Sequence, residues 1–248
     1  MSKYIAFLFM LLGPLAFGQV QQLYPSSIYT FPDIHPDTIA RKQRDIAMHE
    51  KISAKMQNGK LTYQQLSAAE KKIYGDEILL SEGPFYTGPL GCSWYCATGP
   101  ERINASSELD SSRVANYVAS NMHDFDLQTA WVEGKKDEGK GEFITFEFNL
   151  QSRLKLTTLV IFNGYSKSLK HWQENGRVKQ MDMYLNDSLM YTLHLQDTYR
   201  GQVFQIEDID GDDGEKQIIR LKIKEIYEGS RYQDIAISEI NFDGTGDH

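Results

Sequence analysis

Acidic, amide and hydroxyl side chains are concentrated in residues 121–131, which read Asn-Met-His-Asp-Phe-Asp-Leu-Gln-Thr-Ala-Trp. Asp124 and Asp126 are two positions apart, and Thr129 follows three residues later. This spacing suits a tight loop that folds carboxylate and carbonyl oxygens around a hard cation such as Ca²⁺. It also suits a turn in which Asp and Thr cap backbone amides while Trp131 enters the core. Spacing alone favours the turn.

A second group of polar and aromatic residues lies between two predicted strands, at 154–162 and 177–184. Because this connection is longer than ten residues, it is unusually long for a hairpin, and loops held by a rigid scaffold often bind ligands. Aromatic faces can stack on a sugar ring while amide and basic groups bond its hydroxyls. The alternative is a decorated surface loop with Trp172 packed beneath it. The candidate ligand-binding residues are Asn163, Tyr165, Lys167, Trp172, Asn175 and Arg177.

The two cysteines, Cys92 and Cys96, are separated by three residues. In an oxidising compartment we expect a structural disulfide that fixes the shape of a short loop. A metal site would need further soft or imidazole ligands nearby, and a redox pair would have two intervening residues. The acidic run at 208–215 fails the EF-hand pattern, because Asp213 stands where that loop needs Gly. We predict a solvated acidic hairpin turn there.

Local patterns predict a small helical hairpin followed by a mainly β fold. Apolar residues recur at helical spacing from about residue 37 to a stop at Asn58-Gly59, and Thr62 to Gln65 form a capping box that opens a second helix to about Tyr74. Beyond Gly83 the pattern alternates with period two, and Asn186-Asp187 predicts a tight turn. These strands, with no helix-length gap after Thr129, indicate an antiparallel sandwich. They are predicted at 142–149, 154–162, 177–184, 189–195, 203–206, 217–227 and 235–242.

The first 18 residues resemble an export signal, with Lys3 before a short apolar run and small residues ahead of a predicted cut after Gly18. The run is too short to span a bilayer, and no later segment is apolar enough to do so. We therefore expect a secreted or periplasmic protein. The formal net charge of −8 argues against nucleic acid or an anionic membrane as the main partner. Serine-hydrolase, zinc-protease, phosphate-loop and dinucleotide motifs are absent from the sequence, so we predict that the protein is not an enzyme.

Several ordered motifs resemble the discoidin (coagulation-factor type C) sandwich, and more specifically the NADase-type glycan-binding domain. That branch is related to the translocation domain of some bacterial NAD glycohydrolase toxins. The resemblance covers about residues 85–244, and the charged segment 134–141 departs from the Gly-rich sequence of relatives. The motifs are 91–96, 105–109, 121–133, 141–142, 163–165, 175–179 and 237–244.

The resemblance implies a galactose-binding-like jelly roll with a structural Ca²⁺ and sugar-binding loops at one end. Asp124, Asp126, Thr129 and Glu239 match the cation site, and the candidate ligand-binding residues match the family's motif loop. We expect no NADase catalytic domain in this sequence. The predicted organisation is a signal peptide (1–18), a helical extension (19–84) and the sandwich (85–248). We hypothesise a non-catalytic carbohydrate-binding protein for a glycan or glycoconjugate. The alternative is a protein-interaction module of the cell envelope or a translocation-type accessory domain.

Overall fold

The computed structural model describes residues 20–29, 36–75, 87, 93–112, 115–136 and 138–246. Eleven strands in the described residues form two packed β-sheets, so the predicted mainly β jelly-roll sandwich is confirmed. The strands are β1 (Gln21–Leu23), β2 (Ser27–Tyr29), β3 (Pro100–Ala105), β4 (Trp131–Val132), β5 (Phe143–Phe148), β6 (Leu154–Asn163), β7 (Arg177–Leu185), β8 (Ser188–His194), β9 (Gly201–Asp210), β10 (Gln217–Tyr227) and β11 (Ala236–Gly246). One sheet has the order β1-β8-β7-β10-β5-β3 and the other the order β2-β9-β6-β11-β4.

The core lies between the two sheets and is built from the inward positions of the alternating strands. Phe146 in β5 and Phe242 in β11 meet edge to face across it, with ring centroids 4.9 Å apart. Trp131 is completely buried, and its indole Nε1 donates to the carbonyl of Ser107 at 2.9 Å. Burial of the ring and satisfaction of its polar atom together fix where β4 meets the core.

The predicted turn between β7 and β8 is present at Asn186-Asp187. Both residues have positive φ, at 46° and 67°. Two consecutive positive φ values define the type I′ turn, whose twist matches that of the flanking strands, and Asn and Asp tolerate this conformation. The side chain of Asn186 also accepts from the backbone N–H of Ile218 at 2.8 Å, which ties the turn to β10.

The N-terminal segment differs from the predicted extended lead-in. β1 pairs in parallel with β8, and β2 pairs antiparallel with β9, so residues 20–29 contribute one edge strand to each sheet. The sandwich therefore includes part of the segment predicted to be a separate extension. Three-residue strands separated by Pro25 are too short to show a period in sequence, and pairing with a long neighbouring strand is what orders them.

The helical hairpin is present with one correction. Helix α1 spans Pro36–Gln57, as predicted, but the second helix, α2, spans only Ala68–Tyr74. The Thr62 and Gln65 capping box belongs to a short 3₁₀ turn, and α2 starts at a second box in which Ser67 and Glu70 bond each other's backbone N–H. In the segments that the structure describes, no helix is long and apolar enough to cross a membrane. The predicted signal peptide lies outside them.

The acidic run at 208–215 does not form the predicted hairpin. β9 and β10, which it connects, belong to different sheets, so the segment crosses between them. Its acidic side chains are exposed, as expected for a solvated connection. Asp213 accepts from the backbone N–H and the hydroxyl of Ser152, both at 2.9 Å, and these bonds hold the pKa of Asp213 below its usual value.

Candidate functional site

The site lies at the end of the sandwich where β6 ends and β7 and β11 begin, here called the loop end. Residues 164–176 connect β6 to β7 and contain a short helix, α3 (Leu169–Glu174). Gly164 forms a β-bridge with Ile237, and Gly176 forms one with Ile235. Both ends of this connection are therefore fixed to the start of β11, so the loop end has a defined shape.

Residues 124–129 form a tight turn beside the loop end. The N–H of Asp126 donates to Asp124 Oδ1 at 3.0 Å, and the N–H of Gln128 donates to Asp126 Oδ1 at 2.9 Å. Thr129 Oγ1 donates to Asp124 Oδ2 at 2.8 Å, and Phe125 has a φ of 61°. These are the backbone-capping contacts of the turn hypothesis, and Trp131 enters the core as that hypothesis requires.

Glu239, in the middle of β11, brings a fully buried carboxylate to the same turn. Its Oε1 accepts from the N–H of Asp126 at 3.0 Å, so the same N–H bonds carboxylate oxygens of Asp124 and Glu239. Glu239 Oε2 is buried and has no hydrogen-bond partner among the described residues. The pKa of Glu239 is raised well above its usual value, first by burial and then by the neighbouring Asp124 carboxyl group.

These contacts fit a divalent cation only in part. The oxygens of Asp124 and Glu239 are hard ligands that converge, and the unpartnered Glu239 Oε2 is a buried acceptor that a cation would satisfy. Asp126 and Thr129 instead use side-chain atoms within the turn. In the part of the chain that the structure describes, no three His, Cys, Asp or Glu side chains are grouped to hold a metal ion. The structure brings together two of the four predicted ligands, Asp124 and Glu239. Both Asp124 oxygens and Glu239 Oε1 already accept hydrogen bonds, and Glu239 Oε2 accepts none from the described residues.

Two of the predicted sugar ligands are buried and bonded to backbone groups. Asn163 Nδ2 donates to the carbonyl of Val178 at 2.7 Å, and its Oδ1 accepts the Val178 N–H at 2.9 Å. Since β6 and β7 belong to opposite sheets, this pair joins the sheets at the loop end. Asn175 Nδ2 donates to the carbonyl of His171 at 2.8 Å, which closes α3. We therefore assign both side chains structural roles.

Arg177 is also buried, and its guanidinium is saturated by internal acceptors. Nε and Nη2 donate to the Asp197 carboxylate at 2.7 and 3.2 Å. The remaining N–H groups reach the carbonyls of Trp172 and Asn175, at 3.2 and 2.8 Å, and that of Glu228 at 3.4 Å. A guanidinium has five N–H donors, and all five are used here. A sugar could bind Arg177 only by displacing one of these contacts, so its role is to hold three loops together.

Trp172 packs onto this arginine and is partly exposed. The centre of the Arg177 guanidinium lies 4.4 Å from the indole centroid, and Trp172 Nε1 donates to the Asn163 carbonyl at 2.8 Å. A Cβ at Gly164, which has a φ of 88°, would come within 2.7 Å of the Trp172 ring. Glycine at 164 thus provides both the backbone conformation and the space that the indole occupies.

Tyr165 and Lys167 lie on a cleft of about 400 Å³, here called the Lys167 cleft. The Tyr165 hydroxyl donates to the carbonyl of Gln128 at 3.3 Å. Ser238 Oγ donates to the Thr129 carbonyl at 3.0 Å, which fixes the wall formed by the 124–129 turn. The other lining residues are Ser112, Ala115, Asn116, Gln128 and Thr129.

Sequence reasoning missed Asn116 and Gln128 as lining residues. Gln128 is inside the polar 121–131 stretch, but the sequence does not show that its side chain is exposed. The Ala105-Ser-Ser motif has a structural role. The hydroxyls of Ser106 and Ser107 donate to Glu142 Oε2 at 2.7 and 2.5 Å. This contact ties the end of β3 to the start of β5. Cys92 lies outside the described residues, so the disulfide with Cys96 stays a prediction.

Comparisons with solved structures find partial matches at low identity. The arabinofuranosyltransferase AftD from Mycobacteria is 16% identical with a TM-score of 0.41, over 60% of this chain and only 11% of the enzyme's chain. A putative chitobiase fragment from Bacteroides thetaiotaomicron is 11% identical with a TM-score of 0.42, over 61% of this chain and 90% of the fragment. A family 35 carbohydrate-binding module from an environmental isolate is 17% identical with a TM-score of 0.33, over 65% and 93%.

No curated protein sequence matches the chain. A family model does match, over residues 94–243, and its description is NAD glycohydrolase translocation F5/8 type C domain. The matched region runs from the 3₁₀ turn at Trp94–Cys96 to β11 and is more than half of the chain. It includes the 124–129 turn, Glu239 and the whole 164–176 connection. The chain belongs to the family of NAD glycohydrolase translocation F5/8 type C domains.

Proposed function

We propose that the protein is an exported, non-catalytic carbohydrate-binding protein that holds a glycan in the Lys167 cleft. The observation that carries this proposal is the cleft itself, which lies on loops fixed by the sandwich and is lined by amide, hydroxyl and ammonium groups. Asn116, Gln128 and Lys167 are exposed and can bond sugar hydroxyls. Tyr165, which is only 9% exposed and is anchored by its hydroxyl, forms a mostly buried part of the cleft wall.

A site of this kind predicts weak monovalent binding. A few hydrogen bonds and one aromatic contact must offset the loss of ligand freedom, which gives a dissociation constant of about 10–100 μM. Firm attachment to a glycoconjugate would then require several copies or a partner. The family description favours a second candidate, an accessory domain that assists translocation of a partner protein.

The proposal includes a structural Ca²⁺ held by Asp124 and Glu239. The unpartnered buried Glu239 Oε2 and the raised pKa of that carboxyl group support it, because a bound cation would compensate both carboxylates. Backbone carbonyls or water would complete the ligand set. Because Thr129 bonds Asp124 and also lines the Lys167 cleft, the cation would stabilise one wall of the binding site.

The first test is a glycan-array screen of the mature protein, run with calcium and repeated with a chelator. Selective binding should weaken about tenfold in Lys167→Ala, through loss of a charged hydrogen-bond donor. Lys170→Ala is the matched control, since Lys170 is an exposed lysine of α3 that does not line the cleft. Equal losses of glycan binding in both variants would contradict the assignment of the cleft. A folded protein that binds no glycan would favour the translocation-type role.

A further inference from the structure

A second cleft lies at the loop end, around the connection between β10 and β11. It has a volume of about 280 Å³ and is here called the Tyr232 cleft. Tyr232 is 40% exposed, although it is a large aromatic side chain. A single ring exposed to this extent is common on protein surfaces, but this one borders a concave, mostly polar cleft. The cleft is lined by Glu138, Ile226, Glu228, Gly229, Ser230, Arg231, Tyr232 and Gln233.

The backbone that carries Tyr232 is firmly anchored. The N–H groups of Arg231 and Tyr232 both donate to the carbonyl of Glu174, at 3.1 and 2.8 Å, and the N–H of Ser230 donates to Gln173 at 2.9 Å. A Cβ at Gly229 would lie 2.5 Å from the Glu174 carbonyl oxygen, so the turn packs directly on the end of α3. A rigid backbone therefore presents exposed side chains, and binding would require little ordering of the loop.

The charged residues around the cleft determine which class of ligand it can bind. Glu228 would repel an anionic ligand, and Glu138 adds less to this repulsion because Lys140 pairs with it. The guanidinium of Arg231 lies 5.0 Å from the Tyr232 ring centroid, so that ring already has a cation, which would oppose a cationic ligand. Carboxylate, guanidinium and amide groups can all bond hydroxyls, and Ile226 supplies apolar surface. An uncharged polyhydroxylated ring with an apolar face matches this combination.

We infer that the Tyr232 cleft is a second binding site, for an uncharged sugar residue. The two clefts share no lining residue, and the 164–176 connection contributes directly only to the Lys167 cleft. The sugar ring stacks on the face of Tyr232 that Arg231 does not cover, and its hydroxyls bond Glu228 and Gln233. Two sites at one end of the sandwich would allow the protein to engage two residues of a glycan or two glycans on one surface, which raises the apparent affinity.

The test is NMR titration of the ¹⁵N-labelled mature protein with methyl β-D-galactoside, methyl β-D-glucoside and N-acetylglucosamine. At least one sugar should shift the amide signals of Glu138 and residues 226–233. In Tyr232→Ala the dissociation constant measured from these signals should rise about tenfold, whereas Tyr232→Phe should retain binding. Tyr63→Ala is the matched control, because Tyr63 is similarly exposed but lies in the helical hairpin.

The outcomes distinguish this inference from the function proposed for the Lys167 cleft. Shifts confined to residues 112–129 and 165–167 would overturn the second site and leave the first. Shifts confined to the Tyr232 cleft would support the second site and contradict the location of the first. Absence of shifts with all three sugars would overturn the second site. Tyr232→Ala must retain the wild-type spectrum elsewhere, and undiminished binding in that folded variant would also refute the inference.

Discussion

Replacement of Arg177 by alanine tests whether this residue serves the fold or the ligand. Arg177 is only 6% exposed, and its five donors reach Asp197 and the carbonyls of three other residues. Truncation leaves these acceptors without their donor and removes the cation that packs on Trp172. Breaking a buried charge pair typically destabilises by about 3–5 kcal/mol. Asp197 is partly exposed and can be resolvated, so we expect the lower half of this range.

The free energy of unfolding should be measured by urea titration followed by tryptophan fluorescence, together with a thermal melt. For a chain of this length, 1 kcal/mol corresponds to about 2–4 °C, so the melting temperature should fall by about 10 °C. Arg220→Ala is the matched control. Arg220 is a half-buried arginine of β10 that pairs with the exposed Asp187 at 2.9 Å and lies 4.8 Å from the Tyr184 ring centroid, and its loss should change stability by only about 1 kcal/mol.

Two results would refute this reasoning. The first is an Arg177→Ala variant that is as stable as Arg220→Ala. The second is loss of glycan binding in Arg177→Ala with an unchanged unfolding curve, which would show that the guanidinium contacts the sugar directly. Intermediate stability in Arg177→Lys would be consistent with the structural role, because lysine retains a charge but lacks the planar five-donor geometry.

Two further predictions concern the neighbouring sites. Trp172→Ala should lower stability by about 3 kcal/mol, since the indole packs on Arg177 and bonds Asn163; an unchanged melt with lost sugar binding would instead restore its role as a ligand. Glu239→Gln should abolish any calcium-dependent rise in melting temperature. In the presence of a chelator, the stability of the wild-type protein should fall as pH rises through the raised pKa of Glu239. Below the ordinary pKa of 4.5, the carboxyl proton is bound in both the folded and the unfolded protein, so the full stabilisation is present. The variant should lack this fall, and a similar fall in both proteins would contradict the assignment.

Much of the sandwich could be predicted because its signals are local. In β5 the alternation of exposed and buried residues follows the sequence pattern of Phe143–Phe148, and the Asn186-Asp187 turn follows from the φ values that these residues tolerate. The predicted start of α2 was wrong because two capping boxes follow each other in the sequence. Ser67, not Thr62, caps the longer helix. The pairing of β1 and β2 with distant strands left no local pattern to detect.

The residue types at the loop end were visible in the sequence, but tertiary structure decided their use. Asn163 and Arg177 have side chains suited to sugar hydroxyls, yet their partners are Val178 and the distant Asp197. The clefts depend on segments far apart in the chain, such as Asn116 with Lys167 and Glu138 with Tyr232. Sequence periodicity determines which face of a strand is buried. Which polar groups are satisfied internally depends on the loops that the packed sheets bring together, because each donor bonds the nearest acceptor and only the remainder faces a ligand.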